Sequence, residues 1–316
     1  MSFPVFDLHC DTLSRLLGRQ MERFGSLREN DCHISLSRAK KLPGYAQCFA
    51  VFTTDLWKEK SSVSPVQAFE RQIAQFQREM HSNKEIAMAY CADDVARNLE
   101  KGLTSGILTI EGPAGFDFDP ALLSDLSLIG FRMTTLGWNE RNLLTGSNVT
   151  GGGLTEQGRE YVKEAQSNKM IVDVSHISDE GFWDIMDITE KPVVASHSNS
   201  RAVHNHSRNL TDEMFLGLCQ TGGLAGINMY TEFLGKSADI ETVCNHICHF
   251  LELDPSGRHI ALGGDLDGCE SLPEGIEGID DYPAIAQALQ KRGLDDTVIR
   301  NIFWNNALGV MRECCT

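Results

Sequence analysis

Positive charge is what this chain has least of. Its 28 Lys and Arg stand against 44 Asp and Glu, a formal net charge of −16 over 316 residues. A nucleic-acid groove or an anionic membrane surface would need basic patches, so neither is expected as a partner. No apolar run approaches the ~20 residues that span a bilayer. The N-terminus lacks a basic segment leading into an apolar stretch, so no secretory signal is expected. Gly-x-Ser-x-Gly, which would present a nucleophilic serine, is absent, and so is the phosphate-cradling Gly-x-x-x-x-Gly-Lys. The ten cysteines form no Cys-x-x-Cys pair. They are scattered, several of them in apolar runs, as reduced core thiols of a cytoplasmic protein would be. Cys244 and Cys248 share a helix face with Ile240, Val243, Ile247 and Leu251. No Pro/Gly/Ser-rich linker divides residues 1–316, which read as a single domain.

Present instead is an alternation of short apolar runs with helix-like segments. Runs at 4–10, 45–53, 106–111, 132–138, 170–176, 192–197, 224–230 and 259–265 lack strict polar alternation, as buried parallel strands do. Residues 65–81 predict a helix, with Val66, Phe69, Ile73, Phe76 and Met80 at spacings of three and four. Ser64 is its cap, Pro65 its first residue and Gln67 the third position of a capping box. Further helices are predicted at 154–168 and, capped by Ser178, at 178–188. Eight strands alternating with helices predict an α/β fold of the (β/α)8 TIM-barrel type. The run 85–91 also looks like a strand, but no ligand-type residue ends it, so it is expected outside the barrel. An open doubly wound sheet would carry a glycine-rich turn after its first strand, and none follows Asp11.

The ends of these runs carry the chemistry. His9 and Asp11, two residues apart, face one side of a strand. Glu111, His176, His197 and Asp265 close four later runs, and barrel active sites form at the C-terminal ends of strands. Three imidazoles with carboxylates suit Zn2+ or a similar divalent ion. Five or six such ligands exceed one tetrahedral site and fit two metals roughly 3.5–4 Å apart. Any one of these residues could be a core histidine or an acidic turn. Together they would have to end apolar strands by accident.

His9-Cys10-Asp11, Glu111-Gly112, Gly153-Leu154-Thr155, Asp173-Val174-Ser175-His176, Ser196-His197-Ser198, Arg208-Asn209 and Gly264-Asp265-Leu266-Asp267-Gly268 resemble the membrane dipeptidase (renal dipeptidase) family of the amidohydrolase superfamily. The likeness covers nearly the whole chain. It implies an eight-stranded barrel with two Zn2+ per chain and hydrolysis of dipeptides, including some with a C-terminal D-residue, by a hydroxide held between the metals. By position it assigns His9, Asp11 and Glu111 to one zinc and Glu111, His176 and His197 to the other. Arg208 then holds the substrate carboxylate, Asp265 handles protons and Tyr230 lines the pocket. One departure stands out. Where the family usually has a histidine after strand four, this chain has Trp138, with Asn139 and Asn142 as substitute donors. His204 and His206 match nothing in the family and read as a solvated loop. Rival readings are another binuclear amidohydrolase (an N-acyl-amino-acid hydrolase or a lactonase) and a catalytically dead binding barrel. A homodimer is compatible with this reading.

Overall fold

A computed structural model describes residues 3–18, 21–57 and 62–316. Nine parallel strands form its sheet: β1 (Val5–Cys10), β2 (Tyr45–Phe52), β3 (Ile86–Met88), β4 (Thr104–Glu111), β5 (Phe131–Thr135), β6 (Ile171–Asp173), β7 (Val193–Ala195), β8 (Leu224–Ile227) and β9 (Ile260–Leu262). Each of β4 to β9 pairs with the next, β9 pairs with β1, β1 with β2, and β2 with β4. That last pairing closes an eight-stranded barrel and leaves β3 outside it, alongside the first residues of β4. The expected (β/α)8 fold and the excluded 85–91 run are both present.

The barrel interior is filled from each of the eight barrel strands by Phe6, Leu8, Ala46, Cys48, Ile107, Met133, Ile171, Val194, Leu224 and Ala261. The helix Asn306–Cys314 packs into the same cluster through Ala307, Val310 and Met311. Returning helices start where the sequence places caps. Ser64 and Gln67 form the reciprocal capping box of the helix Pro65–Ser82. Ser178 caps Asp179–Met186, accepting from the Gly181 N–H. The helix expected at 154–168 begins later, at Glu156, because the Thr155 hydroxyl is the cap that accepts from Gly158. Val243, Cys244 and Ile247 are buried on the helix Ile240–Leu253, so that cysteine pair belongs to a packed helix.

Five strands end two or three residues short of their apolar runs, and β5 is one of them, stopping at Thr135. β6 ends at Asp173, β7 at Ala195, β8 at Ile227 and β9 at Leu262. The apolarity continues because the following loops are themselves buried; Val174, Ile177, Met229 and Leu266 all lie in the core. His176, His197 and Asp265 therefore stand on buried loops two or three residues beyond their strands, and His176 (φ 70°) and Asp265 (φ 55°) adopt left-handed backbone.

Candidate metal centre

His9 is the last residue but one of β1, Asp11 follows that strand, and Glu111 ends β4. His176, His197 and Asp265 lean over the same end of the barrel from their loops. Glu111 divides its carboxylate between two groups. Its Oε2 lies 3.4 Å from His9 Nε2, and its Oε1 lies 3.1 Å from His176 Nε2 and 3.9 Å from His197 Nε2. Asp11 Oδ2 is 3.4 Å and Asp265 Oδ1 4.0 Å from His9 Nε2. The structure thus brings all five expected ligands and Asp265 together. His9, Glu111 and His197 form one cluster of candidate donors, and His9, Asp11 and Asp265 another.

The fit of a cation can be read from the hydrogen bonds around the rings. His176 Nδ1 lies 3.0 Å from Asn139 Oδ1, an acceptor, so Nδ1 carries the proton and Nε2 a lone pair. His197 Nδ1 meets Ser196 Oγ at 2.7 Å, while that hydroxyl donates to Asp173 Oδ2 at 2.5 Å. Again Nε2 is left with the lone pair. The two Nε2 atoms face each other at 3.0 Å. Two lone pairs in that position repel unless a positive charge sits beside them. His9 Nε2 is buried without a hydrogen-bond partner. His176 and His197 are oriented as metal ligands are, each with its second ring nitrogen fixed by the protein.

Electrostatics agree. Burial, with Arg208 and His9 nearby, holds His176 and His197 well below the ordinary imidazole range, so both rings are neutral. Burial works against a charge on His9 too, but the Glu111 and Asp11 carboxylates prevail and hold it well above that range. Burial, reinforced by Asp11 and opposed by His9, pushes Glu111 up to about 8. Asp265 rises to about 6, mainly through burial. Without a cation the cluster takes up protons in its place.

A cleft of about 500 Å³ opens over these residues. Arg208, Tyr230, Trp138 and Asn139 all line it. Arg208 is buried and has no carboxylate within ion-pair distance among the described residues. Its Nη1 donates to Ser198 Oγ at 3.3 Å, its guanidinium lies over the Phe233 ring at 5.3 Å, and its Nε is unpaired. Tyr230 packs edge-on against that same ring. Trp138 stands edge-on to Phe52 and 6.3 Å from the His176 ring. Asn139 touches His176 as well as the cleft. An adjoining recess of about 440 Å³, with Met21, Trp57 and Val63 in its wall, meets the cleft at Ser14, Phe52 and Asp267.

Several functional neighbours escape sequence reasoning. His206 is no solvated loop residue: it lines the cleft, accepts from the Arg208 N–H and packs on Phe233. Asn228, directly after β8, donates to Asp265 Oδ2 at 3.0 Å. Glu232 and Glu270 make one wall acidic. Asp267, a candidate proton carrier by its proximity to Asp265, has both oxygens engaged, one by Thr12 Oγ1 at 2.6 Å and one by the His33 N–H at 2.7 Å. A polar residue breaking an apolar strand is the signal that could have found Asp173; nothing local marks Phe233.

The family model for membrane dipeptidase, peptidase family M19, matches residues 1–316. An uncharacterized dipeptidase of Schizosaccharomyces pombe is 34% identical over 66% of this chain and 53% of its own length. A dipeptidase of Claviceps purpurea is 32% identical over 74% of the chain and 56% of its own. The chain spans about half the length of these two relatives. The solved dipeptidase AC, a metallopeptidase of family M19, has a similar fold, with a TM-score of 0.87 and 26% identity over 100% of this chain and 99% of that one. A metallopeptidase from Rhodobacter sphaeroides shares the fold, with a TM-score of 0.87 at 24% identity over 99% of this chain and 100% of its own. No helix of the described residues is long and apolar enough to cross a membrane. On the strength of the match along its whole length, the chain belongs to the membrane dipeptidase family, M19.

Proposed function

We propose that this chain is a two-zinc dipeptidase in which the 1–316 domain binds a dipeptide across the barrel mouth and hydrolyses its peptide bond. The observation that carries this reading is the divided Glu111 carboxylate, one oxygen toward His9 and the other toward His176 and His197. His9, Asp11 and Glu111 would hold one ion; Glu111, His176 and His197 would hold the other. A nitrogen and oxygen donor set without sulfur suits Zn2+. When bound, the ions supply Lewis-acid chemistry, acidifying water and polarising the scissile carbonyl.

The remaining steps belong to side chains of this protein. Arg208, buried and without an acidic partner, forms a bidentate pair with the substrate's C-terminal carboxylate. Its own contacts, to Ser198, the His197 carbonyl and the Phe233 ring, leave the unpaired Nε as a donor. Glu232 and Glu270 offer negative charge for the substrate's ammonium group. That acidic wall favours a dipeptide over an N-acyl amino acid, whose acyl end is neutral. Asp265 takes the proton from the attacking water and gives it to the leaving amine, oriented by Asn228. Trp138 and Tyr230 close the sides of the cleft, and Asn139 holds the His176 ring in its working tautomer. Ten free cysteines agree with a cytoplasmic location.

The test is a panel of dipeptides with L- or D-residues at the C-terminal position, each also as its C-terminal amide, assayed with metal-free protein before and after Zn2+ addition. Turnover should depend on Zn2+, approach saturation near two ions per chain and be poor for the amides. Equal turnover of acids and amides would remove Arg208 from its role. Fewer than one ion bound per chain would end the two-metal reading.

A further inference from the structure

Cys219, Asp254 and His259 come from three separate elements, yet their ligand atoms all lie within 4.8 Å of one another. We propose that they form a separate metal site for one thiophilic divalent cation of the Zn2+, Cd2+ or Co2+ class. The site lies on the opposite face of the barrel from the Glu111 centre. Cys219 is in the last turn of the helix Asp212–Thr221, Asp254 follows the helix Ile240–Leu253, and His259 directly precedes β9. Both helices return from the active-site end, so their C-termini and the start of β9 share the far rim.

Three features suit a cation. Thiolate, carboxylate and imidazole are three different ligand types, a set that selects for a borderline or soft ion over Ca2+ or Mg2+. His259 Nδ1 lies 2.9 Å from the Gly223 carbonyl, to which it donates, so Nε2 is the nitrogen left for a ligand. Asp254 is held by its own neighbour, accepting from Ser256 N at 3.1 Å and Ser256 Oγ at 2.8 Å. In addition, two helix C-termini converge here, and each carries roughly half a negative charge from its aligned peptide dipoles. With metal–ligand bonds of ~2.0–2.3 Å, tetrahedral ligands sit roughly 3.5 Å apart. Side-chain rotation of about 1 Å therefore closes the cluster without moving the helices, which are already packed through stacked Phe215 and Phe250 at 4.2 Å. A water molecule completes the shell. The Cys219 thiol releases its proton to solvent as the sulfur–metal bond forms, and nothing is oxidised or reduced. The ion would cross-link the last two helix–strand units at the face of a barrel that serves stability.

Co2+ added to the metal-free full chain separates this site from the Glu111 centre, whose donor set holds no sulfur. The natural protein should develop a near-ultraviolet thiolate-to-Co2+ charge-transfer band and bind one more equivalent than Cys219→Ser or Asp254→Asn. Both variants should keep dipeptide turnover. No such band in the natural protein, or the same band and stoichiometry in Cys219→Ser, would overturn the proposal. Should Cys219→Ser fail to fold, iodoacetamide labelling of the natural protein read by peptide mass spectrometry decides: bound Zn2+ should slow Cys219 alkylation at least about tenfold, because a metal-held thiolate is shielded. An unchanged rate would refute the site.

Discussion

Asp265→Asn separates proton transfer from metal binding at the proposed active site. Asparagine keeps the size of the side chain, and its carbonyl oxygen can still accept from Asn228 Nδ2, now at 3.0 Å. Asp265 Oδ1 is 4.0 Å from His9 Nε2, farther than the 3.4 Å of Asp11 and of Glu111. It should therefore contribute least to holding a metal. What the amide loses is the capacity to accept a proton, and the carboxylate is well tuned for that, since burial lifts it to about 6. General acid–base assistance is worth ~10²–10⁴-fold in rate, or about 2.7–5.4 kcal/mol of barrier at 1.36 kcal/mol per decade. The expected result is kcat reduced by that range with little change in KM, full metal content by plasma emission analysis, and an unchanged melting temperature. Loss of one metal from Asp265→Asn would mean that the residue is a ligand first. Near-normal kcat would refute the proton role outright. Asp267 is a poor replacement in that event, because Thr12 and the His33 backbone already occupy both its oxygens.

Glu111→Gln should lower the affinity for both ions together, because one carboxylate faces both histidine groups; calorimetric titration showing one site intact would contradict the shared role. Asp173→Asn breaks the chain from Asp173 through Ser196 to His197 Nδ1, and loss of such an outer partner typically weakens metal binding 10–100-fold; unchanged affinity in competition with a chelator would argue that the chain is only structural. Metal uptake should release protons below pH 8. Glu111 titrates near 8 in the metal-free fold against an ordinary 4.5, so the folded chain holds a proton that the unfolded chain has lost between those values. Metal-free stability should accordingly fall as pH rises from 4.5 to 8, while metal affinity rises over the same window. Chelation should then depress the melting temperature more at pH 8 than at pH 5, and the opposite order would reverse the assignment.

The order of the strands was legible because apolar runs and capped helices alternate along the whole chain, and β3 could be set aside because no chemistry ends it. His9, Asp11 and Glu111 were legible for a further reason: β1 and β4 run to the edge of the site, so residue spacing in the strand reports side-chain direction. That logic fails at β6, β7 and β9. Their hydrogen-bonded strands span three residues each, and burial of the loops beyond them extends the apolar signal past the point where strand geometry stops. The position of His176 depends on a left-handed residue, which no hydrophobic pattern encodes. His206 was misread for a related reason. A His-Asn-His loop looks solvated until the long-range contact with Phe233 is known. Asn139 was read as a substrate donor from its place beside Trp138, whereas its partner His176 lies 37 residues away in sequence.

Two carboxylates explain how buried loops can carry ligands at fixed positions. Asp7 in β1 accepts from His9 N at 3.0 Å with one oxygen and from Gly264 N and the Tyr282 hydroxyl, each at 2.9 Å, with the other. Asp173 in β6 accepts from Ser175 N and Ser196 N, both at 2.9 Å, and from Ser196 Oγ. Each carboxylate thus ties its own strand end to the loop of a neighbouring strand: Asp7 joins His9 to the turn before Asp265, and Asp173 joins the approach to His176 to that of His197. The loops need such partners because a buried N–H without an acceptor costs about 1–3 kcal/mol, whereas a bond to a charged group contributes about 1.5–3. A left-handed non-glycine residue costs of order 1–3 kcal/mol, and His176 and Asp265 both follow one of these ties within one to three residues. The ties can therefore offset the strain that turns both side chains toward Glu111. Asp7 and Asp173 interrupt apolar strands two residues before a buried N–H that they accept, and that spacing is the sequence mark of the device.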